Sequence, residues 1–199
     1  MHLKTRDLVY IGVFGALWGA TEMSLGSALH TLNVPFSGVV LAGIGLTVAF
    51  VGRLFVPRAG SVLLIGLVTA FLKVFSMGGV VLNPMLGIVV EALLAELVLA
   101  TLGPPHRLSF VAAGGLAILW TFAQPFFTFG ILGGQGLATV MGWTLSKGAA
   151  ALNLAPSSGL LLILAPLVAG HLLVGCLAGV LAWDVGRIVQ RRLQPTARI

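Results

Sequence analysis

Residues 8–29 read LVYIGVFGALWGATEMSLGSAL, an apolar run in which Glu22 is the only charged residue. A helix of about 20 apolar residues crosses the roughly 30 Å hydrocarbon core of a bilayer, and in lipid it satisfies its own backbone hydrogen bonds. The run contains Trp18 and Glu22 and is long for the apolar core of a signal peptide. We therefore predict a first transmembrane helix that is retained.

Five more apolar stretches follow, and turn-forming residues such as Asn83-Pro84 separate them. The chain has 199 residues, 58% of them hydrophobic and 8% charged, whereas soluble domains have about 25% charged residues. This composition excludes an ordinary soluble domain, a disordered chain and a nucleic-acid-binding domain. We predict an all-α integral membrane protein, with a single transmembrane domain over 1–199 and six transmembrane helices at about 8–29, 36–56, 59–82, 84–103, 108–132 and 159–186.

The basic residues predict how this domain is oriented. Only Lys147 lies in a connection that would be external. The other Lys and Arg at the ends of the spans or beyond them share one side: Lys4, Arg6, Arg53, Arg58, Arg107, Arg187, Arg191, Arg192 and Arg198. Because cytoplasmic loops carry an excess of Lys and Arg, both termini are predicted to be cytoplasmic. The formal net charge of +6 then reflects the excess of Lys and Arg on the cytoplasmic side of the membrane.

The segment 133–156 is rich in Gly and Ala and is interrupted by Gly142, Trp143, Lys147 and Asn153. If it crossed the membrane, the arginines after helix 6 would lie outside, against the positive-inside rule. We therefore predict an extra external segment between helices 5 and 6 that re-enters the membrane or lies at its interface.

Ionisable residues inside the spans are the strongest functional clue, since each costs about 2.5–3.5 kcal/mol to insert. At a rise of about 1.5 Å per residue, Glu22 and Lys73 lie roughly 20 Å above the cytoplasmic surface, and Glu91 lies roughly 10–12 Å below the outer surface. These three side chains share one layer in the outer half. Other polar or aromatic candidates lie in this layer, at its mouth or in the external segment: Asn83, Trp120, Gln124 and Trp143.

Two carboxylates, one ammonium, an amide and an indole among apolar walls are typical of a small-molecule pocket. If Glu22, Lys73 and Glu91 are all ionised, the layer has a net charge of −1. That charge favours a cationic or neutral ligand, although Lys73 could hold a ligand carboxylate. The alternative is a structural Glu–Lys pair without a ligand. Glu96 and His171 also lie within spans, where either could pair with the other or with a hydroxyl.

We find no motif for catalysis, a cofactor or a metal. The chain has no Walker A sequence, no His-Glu-x-x-His and no Gly-x-Ser-x-Gly turn. The single Cys176 excludes a disulfide framework and a multi-thiolate metal site. We expect a protein that is not an enzyme and carries no cofactor.

Helix 1 carries small residues at Gly12, Ala16, Gly19 and Ala20. Small residues let two helices approach closely in lipid. They could serve packing within the domain or docking of another membrane subunit, and the sequence leaves both interpretations open.

The six-helix layout and the segment Ala16-Leu17-Trp18-Gly19-Ala20 resemble S components, the substrate-binding membrane subunits of energy-coupling factor (ECF) vitamin transporters. The segment looks like the docking motif Ala-x-x-x-Ala of that family. The resemblance implies high-affinity binding of a vitamin or vitamin precursor in the outer half, where the candidate layer lies. It also implies delivery through a membrane T subunit and two ABC-type ATPases, in the plasma membrane of a prokaryote.

Two other functions stay open, a stand-alone secondary transporter or channel and a non-transporting assembly subunit of a membrane complex. The ligand stays open as well. Aromatic and acidic residues would suit thiamine or a pyrimidine precursor, and a cobalamin, biotin or queuosine-type ligand is also compatible.

Overall fold

The computed structural model describes residues 3–32, 34–75, 82–155 and 157–193, and these residues form an all-helical protein. Seven α-helices are described, together with one π-helical segment, Phe126–Leu132, that continues the fifth: α1 (Thr5–Thr31), α2 (Ser37–Phe55), α3 (Ser61–Lys73), α4 (Leu82–Thr101), α5 (Arg107–Pro125), α6 (Leu137–Ala151) and α7 (Leu160–Leu193).

Five of these helices are long and apolar enough to cross a membrane, namely α1, α2, α4, α5 with its π-helical continuation, and α7. Many of their large apolar side chains are exposed, including Leu173 and Leu177 on α7. Such exposure is costly in water and suits contact with lipid. The all-α membrane class is therefore confirmed, as a multi-pass membrane protein.

The third predicted helix, 59–82, was wrong in its extent. In the structure α3 has 13 residues, from Ser61 to Lys73, and a turn follows at Val74 and Phe75. The Val74 and Phe75 N–H groups donate to the carbonyl oxygens of Phe71 and Leu72, three residues earlier, which is the tighter pattern with which many α-helices end. The rest of the prediction, 76–81, lies outside the described residues, as does Arg198. The described part of α3 is apolar but shorter than a span.

The fifth predicted helix, 108–132, changes its hydrogen-bonding pattern at Pro125. Proline has no backbone N–H, so it interrupts the α-helical ladder. The Gly133 N–H donates to the Thr128 carbonyl oxygen at 2.9 Å, five residues earlier, as a π-helix requires. A separate 15-residue helix, α6, then occupies the region predicted to hold the extra segment.

The last helix runs beyond its predicted end at 186, reaching Leu193. Its final turns contain Gln190, Arg191 and Arg192, which are good helix formers, so the fall in hydrophobicity there does not end the helix. The Gln190 side-chain amide donates to the Leu54 carbonyl oxygen at 2.5 Å and ties α7 to the end of α2.

The core is centred on Trp18, whose side chain is fully buried where α1, α2 and α3 meet. Its indole lies directly on Gly45 of α2, where any larger residue would collide with it. On the other side of the bundle, α5 and α7 approach backbone to backbone through Gly114, Gly175 and Gly179. Glycine permits this approach because it has no side chain.

The helices alternate in direction, so the bundle has two distinct ends. At one end α1, α3 and α5 finish while α2, α4 and α7 begin, and we call this the cavity end. At the opposite end lie the connections from α2 to α3 and from α4 to α5. That alternation decides which polar side chains can meet.

Candidate functional site

A cavity of about 560 Å³ opens at the cavity end, and all seven helices contribute to its walls. Its size lies within the usual range for small-molecule sites, about 300–1,000 Å³. Five of the seven side chains predicted to bind a substrate line it: Glu22, Lys73, Asn83, Glu91 and Gln124. These residues come from four different helices, so the tertiary structure brings them together.

Glu22 and Lys73 form a buried ion pair in the cavity wall. The Lys73 ammonium lies 3.3 Å from Oε2 of Glu22 and 3.3 Å from the Glu22 backbone carbonyl oxygen. Both side chains are largely buried. The pair joins the last turn of α3 to α1, and it directs the Lys73 charge towards the protein's own carboxylate.

Glu91 is the other carboxylate of the cavity, and its surroundings differ. It lies on α4 and is only 4% exposed, yet its side chain borders the cavity. Within the described ranges, no residue donates a hydrogen bond to Glu91 and no cation lies within 4.0 Å of its oxygens. A polar group so placed is open to a partner that enters the cavity.

Asn83 and Gln124 link α4 to α5 at the cavity wall. The Gln124 side-chain amide donates to the Asn83 backbone carbonyl oxygen and to Asn83 Oδ1, both at 2.8 Å. Gly87 on α4 lets the Gln124 amide lie close to the helix backbone. The donor atoms of Gln124 are thus engaged within the protein.

Three rings form an aromatic part of the wall that the sequence prediction missed. His171 on α7 makes edge contacts with Phe36 and Phe122, at centroid distances of 6.4 and 5.5 Å. The Nδ1 atom of His171 lies 2.7 Å from the Leu167 carbonyl oxygen. The sequence indicates His171 only as an ionisable residue within a span, and the two phenylalanines carry no signal that separates them from lipid-facing ones.

Phe36 has a strained backbone. It precedes α2 with a φ of 58°, in the left-handed region. A bulky residue there is an outlier that costs on the order of 1–3 kcal/mol. This conformation holds the ring at the cavity, opposite His171.

Trp120 and Trp143 are not among the residues that line the cavity. The Trp120 ring packs against Phe127 at 5.8 Å, and Trp143 on α6 is 45% exposed. From α6 the cavity instead receives Thr144, Lys147 and Gly148. Depth along a helix can be predicted from the sequence, but the direction in which each ring points depends on how the helix is rotated.

Glu96 contributes to a second polar cluster, at the opposite end of the bundle. Its Oε1 lies 3.3 Å from the Arg53 guanidinium, and its Oε2 accepts the Val62 backbone N–H at 2.8 Å. Arg53 also donates to the Ser61 hydroxyl at 3.1 Å. The expectation that Glu96 pairs with His171 or a hydroxyl was therefore wrong, because the two residues lie towards different ends of the bundle.

The small residues of α1 divide between two faces. Gly19 packs against Leu72 of α3, whereas Ala16 and Ala20 are exposed and Gly12 has open space beside it. Packing within the protein therefore accounts for Gly19 but not for the other three. No group of three or more His, Cys, Asp or Glu in the described ranges could hold a metal ion.

Comparison with known proteins adds one similarity. Over 71 residues the chain is 35% identical to a protein of Bacillus subtilis (strain 168) named "Probable tryptophan transport protein". The match covers 36% of this chain and only 37% of that protein's length. No protein-family model matches the chain, and no solved structure matches it. The similarity is thus confined to about a third of each chain.

Proposed function

We propose that the chain is the high-affinity substrate-binding subunit, or S component, of an ECF-type importer. In this proposal both termini are cytoplasmic, the cavity end faces outwards and the protein resides in the plasma membrane of a prokaryote. A vitamin, a vitamin precursor or a comparable small organic nutrient binds in the cavity. Transport then depends on a T subunit and two ATPases, and the chain itself catalyses no reaction.

The observation that carries this proposal is the cavity itself. It opens at one end of the bundle, and it gathers two carboxylates, two lysines and two side-chain amides from five different helices. Arg58 and Arg107 lie in or beside connections at the opposite end. The positive-inside rule then directs the cavity outwards, where an importer must capture its substrate.

The exposed face of α1 supports the partner part of the proposal. Ala16 and Ala20 lie one turn apart and are exposed, and Gly12 continues the same line. This face would allow the backbone of a partner helix to come close, as small residues do between membrane helices. We propose that it contacts the T subunit.

The identity of the substrate is the next question. The name of the Bacillus subtilis relative makes tryptophan the first compound to test, beside thiamine and the other vitamin candidates. Tryptophan would bring an aromatic ring to a wall that contains Phe36, Phe122 and His171.

The first test is to purify the protein gently from cells grown in rich medium, denature it and identify the released small molecules by mass spectrometry. We expect a near-stoichiometric organic compound, and addition of that compound should stabilise the empty protein against heat. A protein that carries no compound and is stabilised by none of the candidates would contradict a binding subunit. That result would favour a channel or an assembly subunit.

The second test addresses the partners. Ala16→Trp and Ala20→Trp should preserve ligand binding but abolish co-purification with a T subunit and substrate uptake. Leu173→Trp is the matched control, because Leu173 is exposed on α7. Uptake that persists without ATPase partners, or with a dependence on an ion gradient, would favour a stand-alone secondary transporter.

A further inference from the structure

We infer that the ligand of this cavity is an arylalkyl amine, whose protonated nitrogen binds Glu91 and whose ring lies against Phe36, Phe122 and His171. This inference rests on the proposed function, since it names the chemical class that the binding subunit takes. It adds to that proposal the residue that binds the charged group of the ligand, Glu91.

The argument begins with the charges that the protein already satisfies. Lys73 is engaged by the carboxylate and the backbone carbonyl of Glu22. Gln124 directs its side-chain amide at Asn83. Both donor groups therefore have partners within the wall. The Gln124 amide nitrogen donates to two acceptors, and the positive charge of Lys73 is already balanced by the Glu22 carboxylate, so a ligand carboxylate gains less from either group than it would from an unpaired cation.

Glu91 stands apart from these residues. It is 96% buried and borders the cavity, with no hydrogen-bond donor or cation supplied by the described part of the chain. Its nearest acidic companion in the cavity is Glu22, which adds negative charge. A buried carboxylate without a partner is unfavourable, so a donor that enters the cavity gains most by binding there.

The contrast with Glu96 supports this reading, because both residues lie on α4. Glu96 receives an arginine and a backbone N–H from its own protein. Glu91 lies five residues earlier and receives neither from the residues that the structure describes, although it is just as buried. The fold thus pairs the carboxylate outside the cavity and leaves the one that faces the cavity for another molecule.

The other titratable groups of the cavity favour a cation over an anion. An anionic ligand would meet Glu22 and Glu91, and the basic side chain not engaged in the wall is Lys147, which is exposed on α6. The Nδ1 atom of His171 is engaged with the Leu167 carbonyl oxygen. A charge-assisted hydrogen bond from an ammonium group to Glu91 is among the stronger contacts that such a site can form.

The apolar part of the cavity wall indicates that the ligand also carries an aromatic ring. Phe36, Phe122 and His171 all line the cavity, and the two phenylalanine rings each make an edge contact with the His171 ring. The cavity volume of about 560 Å³ exceeds what an ammonium group needs. Aromatic rings favour offset or edge contacts with other rings. The strained backbone of Phe36 holds one of these rings in place.

The experiment compares three compounds that share an indole ring and differ in charge: tryptamine, tryptophol and indole-3-acetate. Binding to the full chain in lipid nanodiscs is measured by calorimetry. We expect tryptamine to bind at least tenfold more tightly than neutral tryptophol, and anionic indole-3-acetate to bind most weakly. Glu91→Gln should reduce tryptamine affinity at least tenfold and leave tryptophol nearly unchanged.

Two controls separate binding from folding. Asp184→Asn makes the same chemical change at a half-exposed carboxylate outside the cavity, and it should leave all three affinities unchanged. The ligand-free Glu91→Gln protein should be at least as heat-stable as the parent, because it lacks a buried, unpartnered carboxylate. A less stable Glu91→Gln protein would show that Glu91 has a structural partner and would overturn the inference.

The remaining outcomes separate the inference from the proposed function. Equal binding of tryptamine and tryptophol, or no binding of tryptamine by the parent protein, overturns the arylalkyl amine. If mass spectrometry then finds a neutral or anionic compound with the purified protein, the binding subunit stands and only its ligand class is wrong. If the protein carries no compound and binds none, both proposals fall.

Discussion

The ammonium nitrogen of Lys73 lies 3.3 Å from a carboxylate oxygen of Glu22 and equally far from the Glu22 backbone carbonyl oxygen. One side chain at the end of α3 thus closes that helix onto α1, at the edge of the cavity. The same contact gives the Glu22 carboxylate a cation of its own within the cavity wall. Stability and ligand choice are therefore linked at this pair.

Lys73→Met should destabilise the protein because it leaves Glu22 buried without its cation. Breaking a buried pair from one side costs about 3–5 kcal/mol, whereas replacing both partners by neutral groups is often tolerated. We therefore expect the double variant Glu22→Gln/Lys73→Met to recover most of the lost stability. Thermal unfolding in detergent measures this, and a double variant that shows the sum of the two single losses would contradict the pairing.

Glu96→Ala should cost more stability than Glu96→Gln. The glutamine keeps an oxygen that can accept the Val62 N–H, but alanine leaves that donor unsatisfied, a loss of about 1–3 kcal/mol. Both variants release Arg53 from its ion pair. The control is Asp184→Asn in the exposed Arg107–Asp184 pair, which should cost less than about 1 kcal/mol. Equal unfolding temperatures for the two Glu96 variants would argue against the Val62 contact.

Gly179→Ala should loosen the contact between α5 and α7. A Cβ at this position would meet the backbone of Phe110, which cannot move aside as a flexible side chain can. We expect a loss of about 1–3 kcal/mol, as for overpacking in a core. Gly170→Ala on the same helix has open space beside it and should leave the unfolding temperature the same or slightly higher. Similar results for both variants would contradict the close approach.

Phe36→Gly and Phe36→Ala should separate the ring of this residue from its backbone conformation. Both variants remove the ring from the cavity wall, so both should weaken ligand binding to a similar extent. Only glycine adopts a φ of 58° without strain. We therefore expect Phe36→Gly to be about 1 kcal/mol more stable than Phe36→Ala. The opposite order of unfolding temperatures would refute the strained conformation.

Much of the fold could be predicted because one continuous apolar stretch of the sequence specifies each membrane helix. The lengths of the apolar runs predict α1, α2, α4 and α5 with its π-helical continuation to within a few residues, since lipid demands continuous hydrophobicity. The prediction was less accurate for α3 and α7. A helix ends where its backbone geometry changes, and hydrophobicity alone does not mark that point.

The rise per residue predicts similar levels for Glu22, Lys73 and Glu91, and in the structure these three residues line one cavity. The tertiary structure decided what each of these residues contacts. Lys73 pairs with Glu22, Glu91 is left facing the cavity, and Arg53 rather than His171 pairs with Glu96. These choices depend on how each helix is rotated about its axis, which an almost uniformly apolar sequence does not encode.

The amino-acid sequence by itself therefore determined the all-helical membrane class and the positions of the ionisable residues along their helices. Only the tertiary structure decided which charges meet, which rings line the cavity and which carboxylate is left for a ligand. The physical reason is that hydrophobicity and helical rise are properties of a single chain segment, so they can be predicted from that segment alone. Pairing instead depends on side chains that converge from separate helices.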